Sequence, residues 1–136
     1  MTKTREDGPD PAATLLMLAQ KQYARCGEIE ELTRELSDAL DRDDQESVGM
    51  LLRMRGQAMS ETDKIIKERQ KLLDGSKLWQ ERFEKINNDA DMPELTADEK
   101  RIRTLLQSSR NILKRTAELD KKMSRRLAGD RSYYCR

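Results

Sequence analysis

Ala39-Leu40-Asp41-Arg42-Asp43-Asp44-Gln45-Glu46-Ser47-Val48-Gly49-Met50-Leu51-Leu52-Arg53-Met54-Arg55 is the stretch that decides the fold. Two apolar, helix-favouring runs flank a cluster of acids. Asp43, followed three residues later by Glu46, reads as the capping pair of a new helix. The acidic turn therefore ends one helix and begins another, and the two helices run in opposite directions.

Before the turn, Leu15, Leu18, Tyr23, Cys26, Ile29, Leu32, Leu36, Ala39 and Leu40 recur at spacings of three and four. That is close to the seam of a coiled coil. The spacing predicts a helix over 11–41, with Asp10 as cap and Pro11 in its first turn. Gly27 falls inside it, either to permit a close helix approach or without structural purpose. Residues 1–10 carry charge, Gly and Pro with nothing to bury, and are expected to form a disordered arm.

After the turn the stripe is Val48, Leu51, Leu52, Arg55, Ala58, Met59, Thr62, Ile65, Ile66, Arg69, Leu72 and Leu73. The stems of Arg55 and Arg69 are expected to pack while their guanidinium groups reach water. Asp74-Gly75-Ser76 is a break signal that ends the helix, kinks it, or is absorbed. Leu78, Trp79, Phe83 and Ile86 then resume helical spacing, so the second helix is expected over 44–87 with its break at 74–76. Asn87 to Pro93 reads as a loop. Thr96-Ala97-Asp98-Glu99 forms a capping box for a third helix over 96–128. Its stripe is Ile102, Leu105, Leu106, Ser109, Ile112, Leu113, Thr116, Leu119, Met123 and Leu127, with Gly129 as the stop. Residues 130–136 are expected to be a flexible tail, making 11–129 a single helical domain.

Composition agrees. Charged residues are 39% of the 136 and aromatics 4%, too few bulky side chains for a sheet core. The fold class expected is all-α: three long helices in an antiparallel bundle or extended helical hairpin with coiled-coil-like packing. An unbroken 44–87 rod would be about 65 Å long and overhang a first helix of about 45 Å. Trp79 and Phe83 would then sit at a thinly covered tip, as a fold-back, a dimer contact or a client contact. In a simple hairpin Trp79 would lie level with Ile102 to Leu106, and Leu127 level with Arg55.

Charge is unevenly distributed. Residues 1–99 hold 15 basic and 23 acidic side chains, a net of −8, whereas 100–136 hold 12 and 3, a net of +9. The basic end can pair with the chain's own acidic helices or serve an acidic partner. No apolar run reaches membrane-spanning length, and the first residues lack a signal-peptide core, so a cytoplasmic location is expected. Cys26 and Cys135 show no metal or redox spacing, and histidine is absent. No phosphate loop, nucleophile elbow or metal cluster stands out, so no enzyme activity and no cofactor are expected. Leu32-Thr33-Arg34, Asp41 and Leu51 to Arg55 resemble the helical chorismate mutases, which would give Arg34, Arg55 and Lys64 or Lys67 the dicarboxylate. The lysine is out of step with that family's spacing, and no matching Gln or Glu follows. Nucleic-acid binding through the basic third helix is disfavoured by the acidic remainder.

The quoted hairpin also resembles the first hairpin of bacterial flagellar export chaperones of the FlgN/FliT type. There, too, a long first helix ends in a short acidic turn, and the second opens with Val, a Leu-Leu pair and Arg. The likeness extends over about residues 12–130, and Tyr133-Tyr134 matches a tyrosine common near the C-terminus of such chains. It implies a protein-binding chaperone that holds a flagellar hook-associated or filament-cap subunit and hands it to the export apparatus. On that reading Leu105, Leu106, Ile112, Leu113, Leu119 and Met123 would line a helix-in-groove client site. Met50, Met54 and Met59 would add adaptability, and Arg115, Lys122 and Arg126 would steer an acidic partner. The alternative is a self-associating structural coiled coil with Trp79 and Phe83 at the interface.

Overall fold

The computed structural model describes residues 10–88 and 94–134, with side chains to Leu127. Residues 1–9 of the arm expected over 1–10, residues 89–93 of the loop expected over 87–93, and residues 135–136 lie outside the described residues. The chain is all-helical there: α1 (Pro11–Asp41), α2 (Gln45–Asp74), α3 (Lys77–Asn87) and α4 (Ala97–Tyr134). No described helix is long and apolar enough to cross a membrane.

The acidic turn closes α1 by backbone geometry. Asp43 N–H donates to Leu40 O and Asp44 N–H to Ala39 O, the paired bonds of a Schellman ending. Asp43 supplies the left-handed residue at φ 57°, a conformation that Asp tolerates better than most side chains. The cap of α2 is Asp44, one residue later than the sequence suggests. Its carboxylate accepts from Ser47 N and Ser47 Oγ.

Gly75 and Ser76 separate α2 from α3 rather than kinking one rod. Gly75 caps α2, and Ser76 caps α3 by accepting from Trp79 N. Of the outcomes left open at 74–76, the structure has the break with fold-back rather than the unbroken, overhanging rod. Arg82 meets Glu99, Arg103 donates to the carbonyls of Lys85 and Ile86, and Arg110 donates to Asn87. Rising numbers on α3 match rising numbers on α4, so α3 folds back and runs parallel to α4.

The third long helix differs from its expected position in two ways. It runs through Gly129 to Tyr134, past the expected stop. A helical Gly costs about 1 kcal/mol against Ala, which does not by itself terminate a helix. It is also shifted along the bundle. Arg55 meets Asp120, not the level of Leu127, a displacement of two turns or about 10 Å. Removing the overhang causes the shift: with α3 folded back, α4 packs its early residues Ile102 and Leu106 beside Leu15 and reaches Asp41 at Arg126. Thus α4 runs parallel to α1, and both are antiparallel to α2.

Helix α1 is the centre of the molecule. It buries Leu15, Leu18, Cys26, Ile29, Leu36 and Ala39 over a broad arc, with α2 along one side and α4 along the other. Two apolar clusters result. The basal one joins Leu15, Leu73, Phe83, Ile86, Leu95, Ile102 and Leu106, with Trp79 half-buried against it. The upper one joins Ile29, Leu32, Leu36, Leu51, Ala58 and Met123. Trp79 and Phe83 therefore belong to the monomer's own core, which removes the exposed tip expected of an unbroken rod.

Candidate functional site

Each residue expected to take part in binding has a defined place. Leu106, Ile112 and Met123 are buried, while Leu105 and Leu119 are half-buried. The inner stripe of α4 is thus packed on α1, and the open groove expected along it does not exist. Of the six, Leu113 is the most exposed, at 39%. The steering residues are largely engaged inside the chain. Arg115 makes two hydrogen bonds to Glu30, at 2.8 and 3.0 Å, and Arg126 pairs with Asp41 and Ser37. Lys122 is exposed. Of the two readings left open for the basic end, pairing with the chain's own acidic helix accounts for Arg115 and Arg126.

The seam between α2 and α4 is polar. Arg55 donates to Thr33 of α1 and to Asp120 of α4, at 3.1 and 2.7 Å. Arg69 donates to Gln22 and lies 5.0 Å over the Phe83 ring. These guanidinium groups turn inward instead of reaching water, because Thr33, Asp120 and Gln22 satisfy them. Burial pulls Arg69 below its ordinary value, though arginine stays charged at any accessible pH. Further along the waist Cys26 and Ser109 are both fully buried. Burial pushes the Cys26 thiol up and a Ser109 contact pulls it down, so Cys26 is a packing residue rather than a reactive one.

This register exposes a surface the sequence reading merged into the core. Arg55, Thr62 and Arg69 share one seven-residue row of α2. The next row out is Leu52, Met59 and Ile66, exposed by 48, 40 and 38%. On α4, Asp120 shares its row with Leu113 and Leu127, the latter 42% exposed. The exposed apolar row of α2 and the two leucines on either side of Asp120 therefore border the Arg55–Asp120 seam on the side away from α1. The signal was present: α2 carries Leu51, Ala58, Ile65, Leu72 and, immediately beside them, Leu52, Met59, Ile66, Leu73. One neighbouring helix cannot cover so wide a stripe. Met59 lies on this face. Met50 and Met54 are exposed on other rows of α2, and Met123 is core.

Beside Leu52 and Met59 lie Gly49 and Gly56. A Cβ at Gly56 would meet nothing within 4 Å, and at Gly49 only the end of Arg53 at 3.8 Å. The chain's own packing requires glycine at neither. We expect Gly56→Ala to stabilise the protein by about 0.5–1 kcal/mol through helix propensity, raising the thermal midpoint by a few degrees in calorimetry. An unchanged or lower midpoint would mean that something in the fold needs this glycine.

Among the described residues the other expected chemical groups lie apart. Arg34 pairs with Glu30, Arg55 is held by Thr33 and Asp120, and Lys64 lines a separate crevice with Lys21, Arg25 and Glu61. The residues nominated by the chorismate mutase likeness are not brought together. Among the described residues no group of three or more His, Cys, Asp or Glu is placed to hold a metal. No protein-family model matches the chain, nor does any curated protein or solved structure.

Proposed function

We propose that the chain works by binding other proteins, as an export chaperone of the flagellar FlgN/FliT kind acting in the cytoplasm. The observation that carries protein binding is the exposed apolar row Leu52, Met59 and Ile66 on α2, which shares one side of the bundle with the exposed Leu113 and Leu127 of α4. Exposed apolar side chains gathered on one face of a helical protein mark docking surfaces more often than singly scattered ones do. The narrower reading rests on the hairpin around Asp41 to Asp44, whose pattern of acidic turn, Val, Leu-Leu and Arg resembles that family. Its client would be a hook-associated or filament-cap subunit held before secretion. Client contact belongs to the outer rows, since the inner stripe of α4 is occupied by α1.

Affinity capture with the tagged full chain from its native cells tests the reading. The expected result is recovery of a flagellar hook-associated or cap subunit in stoichiometric amount, reduced by Met59→Glu. Recovery of the chain alone would overturn the chaperone reading. Seven-residue spacing of Leu52, Met59 and Ile66 also favours a second reading, a self-associating coiled coil. Sedimentation equilibrium separates them: a dimer broken by Met59→Glu would favour self-association.

A further inference from the structure

The three long helices define three corners of a four-helix bundle, and α3 fills only the lower part of the fourth. It runs parallel to α4, from the Arg82–Glu99 pair to the Arg110–Asn87 bond. Phe83 lies against Arg69 of α2, and Ile86 joins Ile102 and Leu106 in the basal cluster. At 11 residues α3 is about 16 Å long. Beyond Arg110 the outer faces of α2 and α4 continue upward, through Leu52, Met59 and Ile66 on one side and Leu113 and Leu127 on the other. Those side chains remain between 38 and 48% exposed. The chain thus shows at its base what the trough accepts: an amphipathic helix.

The rims of the open part specify that helix further. A helix laid along the trough would have two outer rows beside it. On α2 these are Arg53, Ser60 and Lys67; on α4 they are Gln107, Lys114 and Lys121. Arg53, Lys67, Lys114 and Lys121 are all exposed. Every charge on both rims is basic. Lys121 lies 4.0 Å from the exposed Glu118, a contact too weak in water to neutralise it. Within the rims the surface is small, with Gly49 and Gly56 on α2 and Ala117 and Ser124 on α4. Two acids lie between the rims: Asp63 of α2, which is exposed, and Asp120 of α4, which Arg55 neutralises at 2.7 Å. A second copy presenting this same face would set basic rim against basic rim.

We propose that the open upper trough takes one amphipathic α-helix of a partner protein, with acidic side chains along both of its flanks. Its apolar stripe rests on Leu52, Met59, Ile66, Leu113 and Leu127. Its acids face Arg53, Lys67, Lys114 and Lys121, and Gly56 lets its backbone approach α2. The open length from Leu52 to Ile66 is about 21 Å, enough for about 14 residues of helix. The proposal rests on the protein-binding reading and adds the location and chemistry of the partner segment.

The test uses the full chain and three labelled peptides of about 18 residues, followed by fluorescence anisotropy. One carries Leu and Ile at heptad positions with Glu at the flanks. The second has Lys at the flanks, and the third is a scramble of the first. The acidic amphipathic peptide is expected to bind, and each of the others roughly tenfold more weakly or not at all. Met59→Glu is expected to weaken binding by roughly tenfold with an unchanged melting curve, since Met59 is exposed. The triple change Lys67→Glu, Lys114→Glu, Lys121→Glu is expected to reverse the preference between Glu and Lys flanks. Gly56→Ala is expected to weaken binding while stabilising the chain. Equal binding of the acidic peptide and its scramble, binding indifferent to Met59→Glu, or no binding of any peptide would overturn the proposal. So would a dimer in solution that Met59→Glu breaks, which assigns the trough to a second copy. A flagellar subunit captured from cells and kept by Met59→Glu overturns this trough while leaving the chaperone reading intact. Selective acidic-peptide binding without any captured flagellar subunit does the reverse.

Discussion

Ile102→Ala is expected to destabilise the protein by about 3–4 kcal/mol, read as a fall in the urea midpoint at unchanged slope. Ile102 has no solvent exposure and sits in the basal cluster, where all four helices meet. Truncation there removes apolar contacts and leaves a cavity. The cavity has little freedom to collapse, because Leu15, Leu73, Ile86 and Leu106 come from four separate elements. Total stability of a domain this size is about 5–15 kcal/mol, so one such loss is a large fraction. Leu78→Ala is the control: Leu78 is 63% exposed on the adjacent helix, and its loss should stay within about 0.5 kcal/mol. Trp79, the single tryptophan, packs against the same cluster and reports the base by fluorescence. Fluorescence and far-ultraviolet circular dichroism of the variant should unfold together if α3 and the long helices form one cooperative unit. A loss below about 1 kcal/mol would show that the fold-back of α3 contributes little to the core.

The helical class and the hairpin at Asp41 to Asp44 were legible because local chemistry fixes them. Acids at the turn, apolar spacing of three and four, and the Thr96–Glu99 capping box all act within a few residues. The box appears as expected, with Glu99 N–H donating to Thr96 Oγ1 and Thr96 N–H to a Glu99 oxygen. The direction of α3 was not legible. Gly75-Ser76 permits either a continued rod or a reversal, and burial of Phe83 and Ile86 against residues far along the chain decides between them. The inward arginines were hidden for the same reason. Whether a guanidinium reaches water or Asp120 depends on the register of α4, which the reversal of α3 sets. Gly129 misled in the opposite way, since glycine is common past a helix end but does not create one.

The binding face illustrates a further limit. Periodicity identifies apolar rows but cannot say which of them the chain covers itself. On α4 the deeper row was taken by α1, leaving Leu113 and Leu127. On α2 the row of Leu51, Ala58 and Ile65 faces inward, and that of Leu52, Met59 and Ile66 is left exposed. Charge obeys the same logic. Arg115 and Arg126 are among the basic residues of the C-terminal segment, yet each is held by an acid of α1. The basic residues on the trough's rims are different ones, recognisable only after the bundle's register is known.

Glu99→Gln is expected to cost about 2–3 kcal/mol at neutral pH and to flatten the acid side of the stability profile. Glu99 is 1% exposed and accepts two bonds from Arg82, at 2.7 and 2.6 Å, besides closing the cap of α4. The Arg82 bonds hold its carboxyl below the usual glutamate range. Burial opposes them, and the Thr96 backbone bond helps. A carboxylate depressed in the folded state binds its proton more readily when unfolded. Its contribution is therefore complete above the ordinary unfolded value, about 4.3, and is lost as pH falls through the lower folded value. Wild-type stability should fall steeply below about pH 4, whereas the Gln variant, with no proton to gain there, should fall less. Some acid dependence should persist in the variant, because Arg115 likewise holds Glu30 low. That second pair is weaker support, since Arg115 is 57% exposed and water screens it. Urea unfolding of both proteins from pH 3 to pH 7 measures the difference. Convergence of the two curves toward low pH would assign the lost stability to the ionised Glu99–Arg82 pair. Curves that stay parallel would mean that the substitution acts through packing or the cap alone, and that the carboxylate charge adds nothing to the fold.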